Sequence, residues 1–161
     1  MMTPKISVII PVYNVEQYLR ECLDSCIHQT LEDIEIVCVD DCSLDNSDKI
    51  LKDYAAKDNR IKIIKHETNK GPGAARNTGV TFATGEYIWF VDSDDWIAKE
   101  ACQLLYNTAK KNDIDVLLFQ LNTFYNEDRS EERRVGKENI FMWRIHIITI
   151  CPKTKIFAFA I

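Results

Sequence analysis

The chain has 161 residues, 46% of them hydrophobic and 28% charged, with a formal net charge of −5. That is enough for one domain with a buried core, and the acidic balance argues against a nucleic-acid binder, which carries a basic excess. Five Gly and four Pro among plentiful apolar residues exclude collagen-like, mucin-like and disordered classes.

The N-terminus runs straight into a strand-like segment, with no signal-peptide pattern. Ile6-Ser7-Val8-Ile9-Ile10 reads as a buried strand that Pro11 is expected to stop. Asn14 is placed to cap a helix whose apolar stripe is Val15, Tyr18, Leu19, Cys22, Leu23, Cys26 and Ile27. A second strand spans Ile34 to Val39 and ends in Asp40-Asp41, and Ser47 to Lys57 reads as a helix. Ile61 to Ile64 is a third strand. The turn signal Asn69-Lys70-Gly71-Pro72-Gly73 then opens a small-residue helix over about 74–83, which Gly85 is expected to end. Tyr87 to Val91 is a fourth strand, closing on Asp92-Ser93-Asp94-Asp95. A helix over about 99–111 and a strand over Val116–Phe119 complete the pattern.

Strands alternating with helices predict an α/β fold, a mostly parallel sheet with helices on both faces. Cys22, Cys26 and Cys38 sit at apolar positions and Cys42 in a loop, which reads as reduced cysteines of a cytoplasmic protein rather than a disulfide framework. Zinc-ligand spacing is missing.

Ligands of such sheets bind beyond the carboxyl ends of the strands. Pro11-Val12-Tyr13-Asn14, Asp40-Asp41 and Asp92-Ser93-Asp94-Asp95 all fall there, so three strand ends should converge on one acidic crevice. Clustered carboxylates repel unless a cation neutralises them. Asp92 and Asp94 would face the same side on an extended backbone and could share Mg²⁺ or Mn²⁺, which prefer oxygen ligands. The plain alternative is a solvated turn capping the next helix. Asp40 and Asp41 could accept from a base or a ribose, or simply bond their own loop. Residues 69–77 offer backbone N–H groups, Arg76 and a helix N-terminus to an anion, or else a tight turn before a helix packed through Ala74, Ala75 and Gly79.

The conjunction is more specific than any part. Ser7–Asn14, Val39-Asp-Asp-Cys-Ser43 with Asp45, the run from Asn69 through Gly71, Gly73, Ala75-Arg76-Asn77 to Gly79, Gly85-Glu86-Tyr87 and Val91-Asp-Ser-Asp-Asp95 lie in order. Over residues 5–128 the chain resembles the N-terminal part of a family 2 glycosyltransferase with the GT-A fold, a Rossmann-like architecture, incomplete at the C-terminus. The resemblance implies that Pro11, Val12, Tyr13 and Asn14 line a nucleoside pocket and that Asp41 meets the base, commonly uracil, with Asp40 its companion. Arg76, Gly71 and Gly73 would border the nucleotide together with Asp92 and Ser93. Asp92 and Asp94 would hold Mn²⁺ or Mg²⁺ on the diphosphate, assisted by Asp95. The implied reaction moves a sugar from a nucleotide diphosphate sugar to a hydroxyl of a saccharide or lipid-linked acceptor with inversion, in cell-surface polysaccharide synthesis. The general base is expected C-terminal to the native sequence. Cys42 stands where the family usually has Gly, which would strain the loop if φ is positive there.

Residues 129–161 carry net +4 against net −9 for residues 1–128. The run Arg129-Ser-Glu-Glu-Arg-Arg-Val-Gly-Lys-Glu138 resembles the translation of a common sequencing adapter beginning AGATCGGAAGAGC. The native sequence is therefore expected to end near Asp128, giving a donor-binding domain over 1–128 and a foreign tail over 129–161. The alternative is a charged loop leading to an apolar segment, Ile140 to Ile150. Arg144 and His146 interrupt it too soon for a membrane span, but it could lie on the inner face of the membrane. Trp143, His146 and Cys151 receive no role.

Three rivals remain open. An aspartate-nucleophile phosphatase also carries D-x-D after a strand, but near its N-terminus. A dinucleotide oxidoreductase needs G-x-G-x-x-G after strand one. A nucleotide-sugar-binding module would share the site without turnover.

Overall fold

The computed structural model describes residues 3–119, 122–125, 132–135, 140–141 and 155–159. The junction at Asp128–Arg129, the 142–150 stretch with Trp143 and His146, and Cys151 lie outside the described residues.

In chain order the elements are β1 (Ile6–Val12), α1 (Leu19–Ile27), β2 (Ile34–Asp40), α2 (Ser47–Ala55), β3 (Ile61–Lys65), α3 (Pro72–Phe82), β4 (Tyr87–Phe90), α4 (Ala101–Lys111), β5 (Val116–Phe119), β6 (Asn122–Tyr125), β7 (Glu132–Val135), β8 (Ile140–Phe141) and β9 (Lys155–Phe159). The main sheet runs β3-β2-β1-β4-β9-β5-β8, and β6 pairs with β7 in a separate ribbon. All pairs of the main sheet are parallel except β5–β8. The α/β expectation and most of the element order hold.

Side-chain alternation along β1 sorts the core into two layers. Ile6, Val8, Ile10 and Val12 face the helical layer that includes Leu19, Cys22, Leu23, Leu51 and Leu105 of α1, α2 and α4. Ile9 faces the other way, with Val37, Val39 and Ala75 of α3. The small residues of α3 thus serve the close packing read from the sequence: Ala75 and Gly79 are buried against the sheet. Cys22, Cys26, Cys38 and Cys102 are free and buried. Burial pushes the thiols of Cys38 and Cys102 up, so they remain protonated at neutral pH.

Three local expectations need correction. Pro11 does not end β1, which continues to Val12 with Pro11 opposite Val39. Ile9 and Pro11 point their backbone groups toward β4, and the last bond on that side is Val91 N–H to Ile9 C=O at 3.0 Å, so Pro11, lacking an N–H, ends the ladder to β4 while the pairing with β2 runs on. Asn14 does not cap α1. The helix starts at Leu19, after a turn in which Leu19 N–H bonds Val15 C=O at 3.0 Å. Gly85 does not end α3, which stops at Phe82; Gly85 lies instead against Ser7 and Ile6 of β1.

The connections place a ligand site. β1 leads outward through β2 to β3, and the chain then returns to β4 on the opposite side of β1. That reversal opens a crevice between the loops after β1 and β4.

Candidate functional site: the crevice at the β1–β4 switch

A cavity of ≈ 290 Å³ occupies this crevice. Its wall includes Pro11, Val12 and Tyr13 after β1, Asp41 after β2, Gly71 and Arg76 at the start of α3, and Asp92, Ser93 and Asp94 after β4. Nine predicted site residues therefore meet in one place. Asn14, Asp40, Gly73 and Asp95 stand outside that wall. Asn69, Pro72 and Ala75 line it in addition to the predicted residues.

Asp41 is almost fully buried and strongly held. Its Oδ1 accepts from Lys70 N–H at 2.9 Å and its Oδ2 from Gly71 N–H at 2.7 Å. His66 Nδ1 stands 2.6 Å from Oδ1. Burial raises the carboxyl's pKa, but the bonds from His66, Lys70 and Gly71 outweigh it and hold the group below its ordinary value. Gly71 makes this cradle possible. Its φ of 85° and ψ of 163° belong to a region open essentially to glycine alone, and they aim its N–H at Asp41 while starting α3.

Asp40 turns away from the cavity. It is fully buried, accepts from Ser43 N–H at 3.0 Å, and pairs with Lys65 Nζ at 3.4 Å. That second contact is an ion pair without an aligned hydrogen bond. Asp40 thus anchors its own loop.

Asn14 joins two loops. Its φ is 51°, its N–H donates to Ser43 Oγ at 3.1 Å, and its Oδ1 accepts from Leu44 N–H at 2.7 Å. Glu16 N–H bonds Asp45 Oδ2 at 2.9 Å, and Asn46 N–H bonds Glu16 Oε2 at 2.8 Å, so the clasp is reciprocal. Beside it, a second cavity of ≈ 410 Å³ is lined by Asn14, Glu16, Asp45 and Asp94 among others. Asp94 borders both spaces.

Cys42 has a φ of 66°, the left-handed conformation in which a side chain is strained. The Cβ penalty there exceeds the extra chain entropy of glycine. Cys42→Gly is therefore expected to raise unfolding free energy by about 0.5–1 kcal/mol, and Cys42→Val to lower it, in urea titrations. Equal midpoints for the two variants would contradict the strain.

The acidic turn after β4 departs from the extended geometry expected for a shared cation. Asp95 N–H bonds Asp92 C=O at 3.0 Å, closing a turn over Ser93 and Asp94. Helix α1 supports it: Cys22 Sγ donates to Asp92 C=O at 3.6 Å, and Ser25 Oγ accepts from Ile97 N–H at 3.1 Å. Arg76 reaches across the cavity to Asp92 Oδ1, each side chain about a third exposed. Among the described residues no three His, Cys, Asp or Glu side chains are grouped to hold a metal. Two carboxylates bordering one space are nonetheless a donor set suited to Mg²⁺ or Mn²⁺ when a phosphate supplies further oxygens.

The pattern of Glycosyl transferase family 2 matches residues 7–161. The chain belongs to this family. It is 47% identical over 116 residues to the uncharacterized glycosyltransferase EpsJ of Bacillus subtilis, covering 72% of this chain and 33% of that protein. It is 50% identical over 120 residues to a poly(ribitol-phosphate) beta-glucosyltransferase of Bacillus spizizenii, covering 73% of this chain and 19% of that one. Residues 1–349 of S. aureus TarS, solved in complex with UDP, match with a TM-score of 0.68 and 39% identity over 72% of this chain and 35% of that chain. The mannosyltransferase PcManGT of Pyrobaculum calidifontis, in complex with GDP-Man and Mn²⁺, matches with a TM-score of 0.63 and 26% identity over 74% of this chain and 36% of that one. The fold is that of GT-A glycosyltransferases, and this family 2 chain spans about a third or less of the length of these relatives. Among the described residues no helix is long and apolar enough to cross a membrane.

Proposed function

We propose that the crevice binds the nucleotide diphosphate part of a UDP-sugar and, within the full transferase, presents the sugar to an acceptor hydroxyl for inverting transfer. The observation that carries this is the convergence of Asp41, Arg76, Asp92 and Asp94 on one cavity at the sheet's switch point. The UDP complex of the similar TarS supports the choice of nucleotide.

In this reading Asp41 accepts from a ring N–H of uracil between walls made by Pro11, Val12 and Tyr13. Arg76 and the first turn of α3, with Gly71 and Gly73, attract the diphosphate. Arg76 moves from Asp92 to a phosphate oxygen, which frees Asp92. Asp92 and Asp94 hold Mn²⁺ or Mg²⁺, with Asp95 fixing the turn through its backbone. What the cation supplies when bound is relief of the charge that builds on the departing diphosphate. Inversion requires a base on the face of the sugar opposite that leaving group, supplied from outside residues 1–128. The acceptor is a saccharide or lipid-linked hydroxyl at the cytoplasmic membrane face, in cell-surface polymer synthesis.

The donor-binding unit is 1–128, and 129–161 is foreign to it. β9 pairs between β4 and β5, and Lys155 at its start stands 3.5 Å from Asp115 and 5.4 Å from the Tyr87 ring centre. Main-chain pairing is open to any apolar strand of that length, and a single basic residue supplies both side-chain contacts. Sequencing the source gene across Asp128 and Arg129 tests this division.

Calorimetry with UDP is expected to show binding that tightens at least about tenfold when Mn²⁺ is added. Asp94→Asn, at an exposed position, should retain metal-free binding and lose most of that gain. No heat with UDP in either condition would overturn the proposal. Turnover of a UDP-sugar separates a transferase from a binding module.

A further inference from the structure

His66 follows β3 by one residue and is only 6% exposed, yet its ring touches two polar groups on different elements. Nδ1 lies 2.6 Å from Asp41 Oδ1, and Nε2 lies 2.9 Å from Thr78 Oγ1 on α3. An ionised carboxylate can only accept, which places a ring proton on Nδ1; in the neutral ring Nε2 then accepts from the Thr78 hydroxyl. A chain of donors thus runs from Thr78 through His66 into Asp41.

Each carboxylate oxygen offers two acceptor sites. Oδ1 of Asp41 is filled by His66 and by Lys70 N–H at 2.9 Å. Oδ2 takes Gly71 N–H at 2.7 Å, with a longer share of Lys70 N–H at 3.1 Å. The carboxylate lines the cavity with one site on Oδ2 not taken by a short bond. Without His66, Oδ1 would regain an acceptor site and the carboxylate could swing about its Cβ–Cγ bond.

We infer that His66 is a positioning residue that locks Asp41 with a single acceptor site toward the cavity, and so selects a nucleobase presenting a ring N–H there, uracil, over cytosine, whose N3 has no hydrogen. This rests on the donor-site reading above. His66 touches no substrate; it acts through Asp41, as outer hydrogen-bond partners orient a ligating group elsewhere.

The test is calorimetry of UDP and CDP with the unaltered chain, His66→Leu, His66→Asn and Thr78→Val. The unaltered chain is expected to prefer UDP by about tenfold or more, the worth of one charge-assisted hydrogen bond. His66→Leu should lose most of that preference by weakening UDP while leaving CDP unchanged. His66→Asn, whose amide N–H₂ stands near the Nδ1 position, should keep it. The ratio is read within one sample, so a lower folded fraction does not move it. If His66→Leu does not fold, Thr78→Val, which removes only the outer donor, should lower the ratio severalfold. An undiminished ratio in the folded Leu or Val variant, or an Asn variant as unselective as Leu, would overturn the inference. A chain that binds neither nucleotide overturns the donor-site reading beneath it, a result distinct from either.

Discussion

Asp41→Ala is expected to lose UDP binding by about 100-fold and to lower unfolding free energy by about 2–4 kcal/mol. The two losses share one cause. The carboxylate collects N–H groups from His66, Lys70 and Gly71, and truncation takes that acceptor from all three, leaving Gly71 N–H only its bond to Asn69 Oδ1 at 2.9 Å. Water entering the adjoining cavity would satisfy some of them, which keeps the loss below the sum of three buried donors. The remaining stability of a domain in the usual range leaves the variant folded. Asp41→Asn separates the effects, since it keeps one acceptor oxygen but turns an N–H₂ toward donors on its other side. It should fall between Ala and the unaltered chain in stability, yet bind UDP nearly as poorly as Ala. The pH dependence has a definite sign. A carboxyl held below its ordinary value of 3.8 contributes stability above that value and loses it as pH falls through the folded-state value. The unaltered chain should therefore lose more stability on acidification than Asp41→Ala does. Parallel pH profiles in urea titrations would refute the assignment of the depressed carboxyl to Asp41.

Much of this site is legible because strand ends are easy to locate in a sequence. A β-branched run stops at Asp40-Asp41 and a largely aromatic one at Asp92, and the rule that ligands bind at strand carboxyl ends selects those residues. The same rule, applied to β3, points at His66, which escapes notice because a lone histidine between Lys65 and Glu67 carries no motif. Its partner Thr78 sits twelve residues further on, in a helix whose register the sequence leaves loose. Asp40 and Asp41 are indistinguishable as letters. What separates them is strand alternation: adjacent side chains point to opposite faces, so one meets Lys65 and its own loop while the other meets the cavity. Asn14 reads as a helix cap because local sequence cannot show that Leu44, thirty residues away, will claim its side-chain oxygen. The extended D-x-D fails for a similar reason, since the bond from Asp95 N–H that closes the turn depends on support from α1.

At the opposite end of the sheet, Gly85→Ala is expected to cost about 3–5 kcal/mol, lowering the thermal midpoint by about 10–20 °C. An added Cβ would stand 2.7 Å from Ser7 N and 2.9 Å from Ile6 C, and backbone in the middle of a parallel sheet cannot retreat cheaply. The strain falls on a buried polar knot. Glu35 of β2 is 3% exposed, and its Oε1 accepts from Ser7 Oγ, Thr84 N–H and, at 3.1 Å, Gly85 N–H. Lys62 of β3 neutralises its Oε2. Burial raises the Glu35 pKa, but Lys62, Ser7 and Thr84 outweigh it and hold the carboxyl below 4.5, so the knot is fully charged at neutral pH. Moving residues 84 and 85 to admit a methyl group would pull donors away from a charge that water cannot reach, which is why the expected loss exceeds ordinary overpacking. Gly73→Ala supplies the contrast within the same chain. Nothing lies within 4 Å of its added Cβ, its φ is not positive, and it stands in the first turn of α3. Alanine there should leave the melt unchanged or raise it slightly, whatever it does to nucleotide binding. Thermal melts followed by far-ultraviolet circular dichroism decide the matter. Equal midpoints for the two alanine variants would mean that the 83–86 connection yields freely and that Glu35 is not the fixed point joining β1, β2 and the entry to β4.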